Sequence, residues 1–153
     1  MTQVFDPQAF LDAQITEVSV KRPPLPVGDY KAVIGEVASR QWTGKDDPTK
    51  TGIAWDIPLT IEIPESVQSE MGVAMATLNV KDSIMLDLTD SGTIDLGIGK
   101  NGKLRRYREA CDLNKPGDVF SARKLTGCTV LVKIKHDLWE DNILEKVSSV
   151  AKL

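Results

Sequence analysis

Alternation of apolar and polar residues predicts strands over much of the chain. In GIAWDIPLTIEI, residues 52–63, every second side chain is apolar: Ile53, Trp55, Ile57, Leu59, Ile61 and Ile63. A period of two over that length is typical of a strand with one buried face. Pro58 interrupts the segment, and because proline has no backbone N–H, it predicts an edge or an irregular position there.

Further strands are predicted on both sides of this segment. DYKAVIGEVASRQW, residues 29–42, alternates well enough for one long strand, in which Gly35 permits a bulge or a sharp bend. TLNVKDSIMLDL, with a hairpin extension around a TDSG turn, predicts another. CTVLVKIKHD and NILEKVSSVAKL predict a closing hairpin, joined by a short loop that contains Trp139.

One segment has a strong helical period. Leu104, Tyr107 and Cys111 recur at spacings of three and four, with Ala110 beside them, which predicts a helix with one apolar stripe. The predicted order is therefore strand, strand, strand with hairpin, helix, strand, strand. This order matches the OB-fold, a five-stranded Greek-key barrel. We predict a mainly β fold: a five-stranded OB-fold-like barrel with one helix between strands 3 and 4, over residues 29–153.

The first 28 residues differ in pattern from the rest. FDPQAFLDAQ predicts a short helical turn with Phe10 and Leu11 on its apolar side, and KRPPLPVGD is too rich in proline to be helical. We predict an N-terminal arm and proline-rich linker over residues 1–28. Such an arm is either a frayed terminus or a segment that docks. It docks on its own core or on a neighbouring subunit, and only docking on a neighbouring subunit would make the protein a homo-oligomer.

Composition fits one globular domain. The chain has 153 residues, of which 41% are hydrophobic, enough to bury a real core. Cys111 and Cys128 do not form a C-x-x-C pair, and we predict that both are buried and reduced. No secretory signal and no apolar run of about 20 residues is visible, so we expect a cytoplasmic protein without membrane contact.

Charge is distributed unevenly. Residues 100–124 contain eight Lys/Arg and three Asp/Glu, a net +5, which leaves −8 on the rest of a chain whose total is −3. That asymmetry suits a local anion-binding patch on an acidic body, or a solvated charged face.

The glycines before the helix raise the question of a nucleotide site. Gly97, Gly99 and Gly102 have the G-x-G-x-x-G spacing, but the chain lacks the alternation of strands and helices that a dinucleotide fold requires, and no G-K-[ST] follows. We expect these glycines to turn the chain into the helix. We also expect no enzyme, cofactor or metal site, because His136 is the only histidine and Asp87, Asp90 and Asp95 lack calcium-loop spacing.

Several segments in their order resemble a known family. PLPVGDYKAVIGEV, the Trp55 strand, IDLGIGKNGKLRRYREACDLN, KLTGCTVLVKIKHD and NILEKVSSV together are similar to small bacteriophage-encoded single-stranded DNA-binding proteins with an OB-fold, over residues 25–152. The resemblance implies sequence-independent coating of single-stranded DNA during replication or recombination, in the cytoplasm of a bacterial host. The end of the chain, SSVAKL, lacks an acidic tail of the kind through which some such proteins recruit partners.

Binding of single strands requires cations for the phosphates and aromatic faces on which bases stack. An OB-fold binds across its second and third strands, between the first and last hairpin loops. The predicted contacts there are Lys31, Arg40, Trp42, Lys45, Lys50, Lys133, Lys135 and Trp139. A secondary basic patch is predicted at Lys100, Lys103, Arg105 and Arg106.

Two alternatives to DNA binding remain open at this point. A protein-binding or virion-structural module would explain the low aromatic content, 5%, and the acidic pI of about 5.2. A small-ligand or oligosaccharide binder is compatible with the fold, although no residue favours it.

Overall fold

Six strands form a single antiparallel sheet in the computed structural model, which describes residues 5–153. They are β1 (Gly28–Ile34), β2 (Ala38–Thr43), β3 (Thr51–Glu62), β4 (Thr77–Met85), β5 (Thr129–Trp139) and β6 (Asn142–Lys152). Two α-helices accompany them: α1 (Glu65–Met71) between β3 and β4, and α2 (Gly102–Ala110) between β4 and β5. The strand order is β2-β3-β1-β5-β6, and β4 pairs with β3.

A bend at Gly35 divides the predicted first strand into β1 and β2. The Gly35 N–H donates to the Pro58 carbonyl at 2.8 Å, and a Cβ at Gly35 would lie 3.0 Å from Pro58 Cγ. β3 changes partner at this point, since its residues up to Asp56 pair with β2 and those from Leu59 pair with β1. Pro58 therefore lies where no ladder N–H is needed on that side, which confirms the irregular position that the sequence predicted.

The predicted mainly β fold is confirmed, but the barrel does not close: the structure has an open sheet of six strands and two α-helices, whereas the sequence predicted a five-stranded barrel with one helix. Within residues 5–153, β6 pairs only with β5, and β4 pairs only with β3. α2 lies against both strands: Tyr107 hydrogen-bonds to Asp82 of β4, and Ala110 lines a cavity with Val150 of β6. The helix thus occupies the seam at which β4 and β6 would otherwise have to pair. The extra strand comes from the bend at Gly35, and the extra helix is the segment ESVQSEM.

The inward faces of the strands form the core together with α2. Ile57, Leu59 and Ile61 of β3 are buried, and so are the alternating positions Tyr30, Ala32, Ile34, Val130, Val132 and Ile134. The predicted stripe on α2 is confirmed for Leu104 and Tyr107, with Ala110 buried beside them, whereas Cys111 lies just beyond the helix and is half-buried. No helix among residues 5–153 is long and apolar enough to cross a membrane.

The two cysteines lie at the margin of this core. Cys111 and Cys128 are both free, but each is half-buried rather than enclosed as predicted, because Cys111 follows the last turn of α2 and Cys128 precedes β5. Burial, and then the neighbouring Cys128 thiol, raise the pKa of Cys111 to about 12. Cys111 is therefore a neutral thiol at physiological pH.

A partly buried carboxylate holds α2 on the sheet. Asp82 of β4 accepts hydrogen bonds from Tyr107 Oη at 2.6 Å and from Lys103 Nζ at 2.7 Å, and Lys103 also donates to the Ser83 carbonyl. Burial, and then the adjacent Asp82, raise the pKa of Tyr107 far above its ordinary value. Both donors are one helical turn apart on α2, so the carboxylate fixes the rotation of the helix as well as its position.

The last part of the N-terminal arm is anchored on the β5–β6 hairpin. Arg22 donates two hydrogen bonds to Glu145, at 2.7 and 3.2 Å, and the Leu25 N–H donates to the same carboxylate. The His136 ring donates from Nε2 to the Leu25 carbonyl at 2.6 Å. Because Leu25 is fully buried, the core includes a residue of the segment that the sequence predicted as a linker.

We expect Tyr107→Phe to destabilise the protein by about 1.5–3 kcal/mol, because it removes a buried hydrogen bond to a charged acceptor. Tyr30→Phe is the matched control, since Tyr30 is also buried but donates to a neutral carbonyl, that of Pro26. It should cost about 1 kcal/mol. Urea unfolding followed by circular dichroism measures both, and an equal loss in the two variants would contradict the dominant role of Asp82.

The same hydrogen bond predicts a pH dependence. Because the folded-state pKa of Tyr107 is raised above the unfolded value of 10.0, its contribution to stability is complete below pH 10 and is lost progressively above it. The free energy of unfolding should therefore fall more steeply above pH 10 in the wild type than in Tyr107→Phe. Parallel profiles in the two proteins would be inconsistent with burial of the phenol.

Candidate nucleic-acid interface

Asn101 organises the glycine-containing stretch before α2. Its backbone N–H donates to Asp87 Oδ2 at 2.7 Å, and its side-chain Oδ1 accepts from the Asp87 N–H at 2.9 Å. Its side-chain amide donates to the carbonyls of Asp87 and Asp95, at 2.9 and 2.7 Å. Asn101 is buried and has a φ of 50°, in the left-handed region, which asparagine tolerates better than most residues.

This arrangement places a negative charge of the chain itself at the start of α2, which disfavours a phosphate there. The carboxylate of Asp87 already lies at the helix N-terminus, where the helix dipole would attract an anion. Of the three glycines, only Gly99 has a positive φ, 79°. The stretch is therefore a turn into a helix, held by Asn101.

Four of the predicted cations are engaged in ion pairs. Arg40 Nε donates to Asp56 Oδ2 at 2.8 Å, and Lys103 is bonded to Asp82. Weaker and more exposed pairs join Lys31 to Glu62 at 3.8 Å and Arg105 to Glu109 at 3.6 Å. Hydrogen bonds from Ser83 and Arg40 keep the pKa of Asp56 below its ordinary value despite partial burial. Of these four, Arg40 and Lys103 are primarily structural.

Trp42, Lys45 and Lys50 lie together around the β2–β3 loop. The Trp42 ring packs over Gly52, where a Cβ would lie 2.6 Å from the indole nitrogen, and the side chain is half-buried. The loop is compact, because Asp47 accepts from the backbone N–H and the hydroxyl of Thr49. Both lysines are exposed. These three residues are at the β2 edge of the sheet order, whereas the β5–β6 hairpin is at the other edge.

The remaining predicted contacts form a row on β5. Lys133, Lys135 and Trp139 are separated by even numbers of residues, so they share one face of the strand, over about 20 Å. Both lysines are exposed, and neither has a salt-bridge partner within residues 5–153. Trp139 was predicted in the loop, but it is the last residue of β5 and pairs with Asn142, because the turn consists of Glu140 and Asp141 alone. Its side chain is 63% exposed.

The structure joins this row to the basic helix. A cleft of 420 Å³ lies between α2 and the β5–β6 hairpin, and we name it the helix–hairpin cleft. Its charged lining residues comprise four cations and two carboxylates: Lys103, Arg106, Lys135, Lys146, Asp82 and Asp137. The helix residues were predicted as a patch separate from the strand lysines, but Arg106 and Lys135 line the same cleft.

Charges in the helix–hairpin cleft are only partly compensated. Asp82 is held by Lys103 and Tyr107, and Asp137 lies 3.9 Å from Lys146. Arg106 and Lys135 have no ion-pair partner in the described part of the chain. The cleft therefore has two cations available for an anionic ligand. Lys100, by contrast, precedes the first residue of α2 and lines a different cavity.

Sequence reasoning missed Lys146. The cross-strand register places it directly opposite Lys135, a pairing of like charges that is unfavourable without an anion or a counter-ion nearby. The hairpin was predicted, but its register depends on the two-residue turn and on a bulge near Lys133. The sequence signal for this register was the two-residue turn, Glu140 and Asp141, because such a turn places Lys135 opposite Lys146.

Nothing in the described chain gathers metal ligands. No group of three or more His, Cys, Asp or Glu side chains suited to a metal ion occurs among residues 5–153. His136 is already bonded to the Leu25 carbonyl.

Comparison with known proteins gives no assignment. No protein-family model matches the chain, and no curated protein matches it in sequence.

We expect Asn101→Gly to lower the free energy of unfolding by about 2–4 kcal/mol. Glycine keeps the left-handed backbone but removes three buried side-chain hydrogen bonds, each worth about 1 kcal/mol, and leaves their partners unsatisfied. Asn114→Gly is the control, because Asn114 is exposed. Chemical denaturation of both variants tests the role of Asn101, and equal stabilities would refute it.

Proposed function

We propose that this chain is a single-stranded DNA-binding protein with an OB-like fold. Its role would be the sequence-independent coating of single strands, as in phage replication or recombination. The observation that carries the proposal is the helix–hairpin cleft, where Arg106 and Lys135 are uncompensated and the exposed Trp139 lies on the same strand face as Lys135.

The strand connections support the OB-like interpretation. If β1 and β2 are counted as one bent strand, the sheet has five segments, with α2 between the third and the fourth. The first segment pairs antiparallel with both β3 and β5, and β5 forms a hairpin with β6. OB-folds are partly open barrels, so an unclosed seam between β4 and β6 is compatible with this assignment.

The distribution of charge supports binding to a polyanion in spite of the net charge of −3. Attraction to phosphates depends on the local potential and on the counterions that each contact releases, not on the total charge. Lys133 and Lys135 continue the positive surface of the cleft along β5, which has no acidic residue before Asp137. A backbone laid along this row would meet the two lysines first, then Asp137, which shares their face and is paired with Lys146, and Trp139 at its end.

The position of Trp139 favours single strands over duplex. An exposed indole ring stacks on a base that is not already stacked within a helix, and each such contact is worth about 1–3 kcal/mol. Trp139 ends a strand of the β5–β6 hairpin, whose two strands are paired from Val130–Lys152 to Trp139–Asn142 with one bulge. The backbone that carries the ring is therefore held in place by the hairpin.

The β2–β3 loop is a second candidate contact. Lys45 and Lys50 are exposed there, and Trp42 offers only a partly accessible ring. Lys45→Ala/Lys50→Ala tests whether a bound strand extends to this edge of the sheet.

We expect a fluorescent oligo-dT to bind with a clear preference over duplex of equal length. Arg106→Ala/Lys135→Ala should weaken binding and reduce the slope of log K against log salt concentration by up to about 0.7 for each lost phosphate contact. Trp139→Ala should reduce affinity by about 5-fold to 150-fold, with the slope unchanged. Fluorescence anisotropy across a salt series measures both effects.

Lys115→Ala is the matched control, because Lys115 is an exposed cation paired with Asp112, and it does not line the cleft. It should change neither affinity nor slope. Equal affinity for duplex and single strand, or an equal effect of Lys115→Ala and the cleft variant, would refute the proposal and favour a protein-binding module.

A further inference from the structure

The N-terminal arm presents an apolar, acidic surface that no other described part of the chain covers. Phe5 and Phe10 have ring centroids 6.2 Å apart, and Leu11 lies beside them on a short 3-10 turn, Ala9–Asp12. We name Phe5, Phe10 and Leu11 the arm knob; each is more than 60% exposed. Residues 5–20 contain Asp6, Asp12 and Glu17 and no Lys or Arg.

A groove of opposite character lies beside α2. Two adjoining cavities of 350 and 460 Å³ share Leu96, Leu104 and Arg108, and together they form what we name the α2 groove. Its apolar lining is Trp55, Ile94, Leu96, Ile98, Leu104 and Phe120. Ile98 and Leu96 are largely exposed, so this apolar surface faces solvent in the isolated chain.

Cations border the α2 groove. The charged residues that line it are three cations, Lys100, Arg105 and Arg108, and one carboxylate, Asp118. Arg108 lies over the Phe120 ring at 4.6 Å and so combines a positive charge with an apolar face. The groove thus matches the arm knob in both respects: apolar surface for Phe and Leu side chains, and positive charge for Asp6 and Asp12.

The position of the arm favours a second copy as the source of the knob. The arm is anchored at Arg22 and Glu145, on the hairpin that lines the helix–hairpin cleft with Lys103 and Arg106. The groove is on the other side of α2, at Leu104, Arg105 and Arg108. In the folded chain the knob remains exposed instead of crossing α2. Residues 5–20 reach about 50 Å when extended, enough to bridge to a neighbouring molecule.

We propose that the arm knob of one copy docks in the α2 groove of a second copy. Reciprocal exchange of arms gives a closed dimer, and one-way exchange gives a longer assembly. Burial of three large apolar side chains supplies most of the affinity, and the charges orient the arm.

Two variants separate the surfaces. Phe10→Ser/Leu11→Ser removes most of the knob. Ile98→Asp places a negative charge in the groove, and because the Ile98 side chain is fully exposed, the change should not lower the stability of the fold. Each alone should be monomeric by light scattering under conditions in which the wild type is at least a dimer. Leu153→Asp, an exposed apolar position outside the groove, is the control and should leave the wild-type mass unchanged.

Mixing the two variants tests docking between copies. The Ile98→Asp chain keeps a working arm and the Phe10→Ser/Leu11→Ser chain keeps a working groove, so an equimolar mixture should regain dimers. A mixture that stays monomeric while the wild type is dimeric would overturn the proposal, as would a monomeric wild type. Asp6→Lys/Asp12→Lys, which leaves the apolar knob in place, should also weaken association, and an unchanged mass would contradict the charge match. All of these outcomes are independent of DNA binding.

Discussion

The carboxylate of Asp82 is the constraint on which the arrangement of the molecule depends. It is placed on the inner face of β4 and accepts from both Tyr107 and Lys103, so it fixes α2 against the sheet. With α2 in that position, β4 and β6 stay apart and the barrel remains open. The seam between these strands becomes the helix–hairpin cleft, in which Asp82 itself forms part of the lining.

The same interaction divides the basic residues of α2 into two roles. Lys103 forms an ion pair with Asp82 and so helps to hold the helix on the sheet. Arg106, one turn away, has no carboxylate partner in the described chain. Leu104 enters the core, and Arg105 and Arg108 border the groove on the other side. One short helix therefore separates two surfaces of different chemistry: a polar, positive cleft and an apolar groove with a positive margin.

The sequence predicted those features whose signal is local. The period of two from Ile57 to Ile63, the stripe of Leu104 and Tyr107, and the irregular position at Pro58 all follow from the geometry of single elements, and the structure confirms them. The period fails in the first half of β3, where Ala54 is buried and Ile53 and Trp55 are only half-buried. The bend at Gly35 was anticipated as a possibility, but its consequence for strand number depends on the contact with Pro58, 23 positions away.

Features that depend on distant pairings could not be predicted in this way. Arg40 is paired with Asp56, and Lys103 is paired with Asp82. The sequence alone presented both cations as available for phosphate contacts. The meeting of Arg106 with Lys135 requires the docking of α2, and the pairing of Lys135 with Lys146 requires the register of the last hairpin. Asn101 gave no sequence signal, because its role consists of hydrogen bonds to Asp87 and Asp95 across a loop.

The central claim is that a single strand of DNA lies along the helix–hairpin cleft and the β5 row. Backbone amide chemical shifts of the labelled full chain, recorded by NMR during titration with oligo-dT, test it most directly. The account requires the largest changes at residues 103–106, 133–139 and 146–149. Changes confined to the β2–β3 loop or to the α2 groove, or no changes at saturating oligonucleotide, would contradict it.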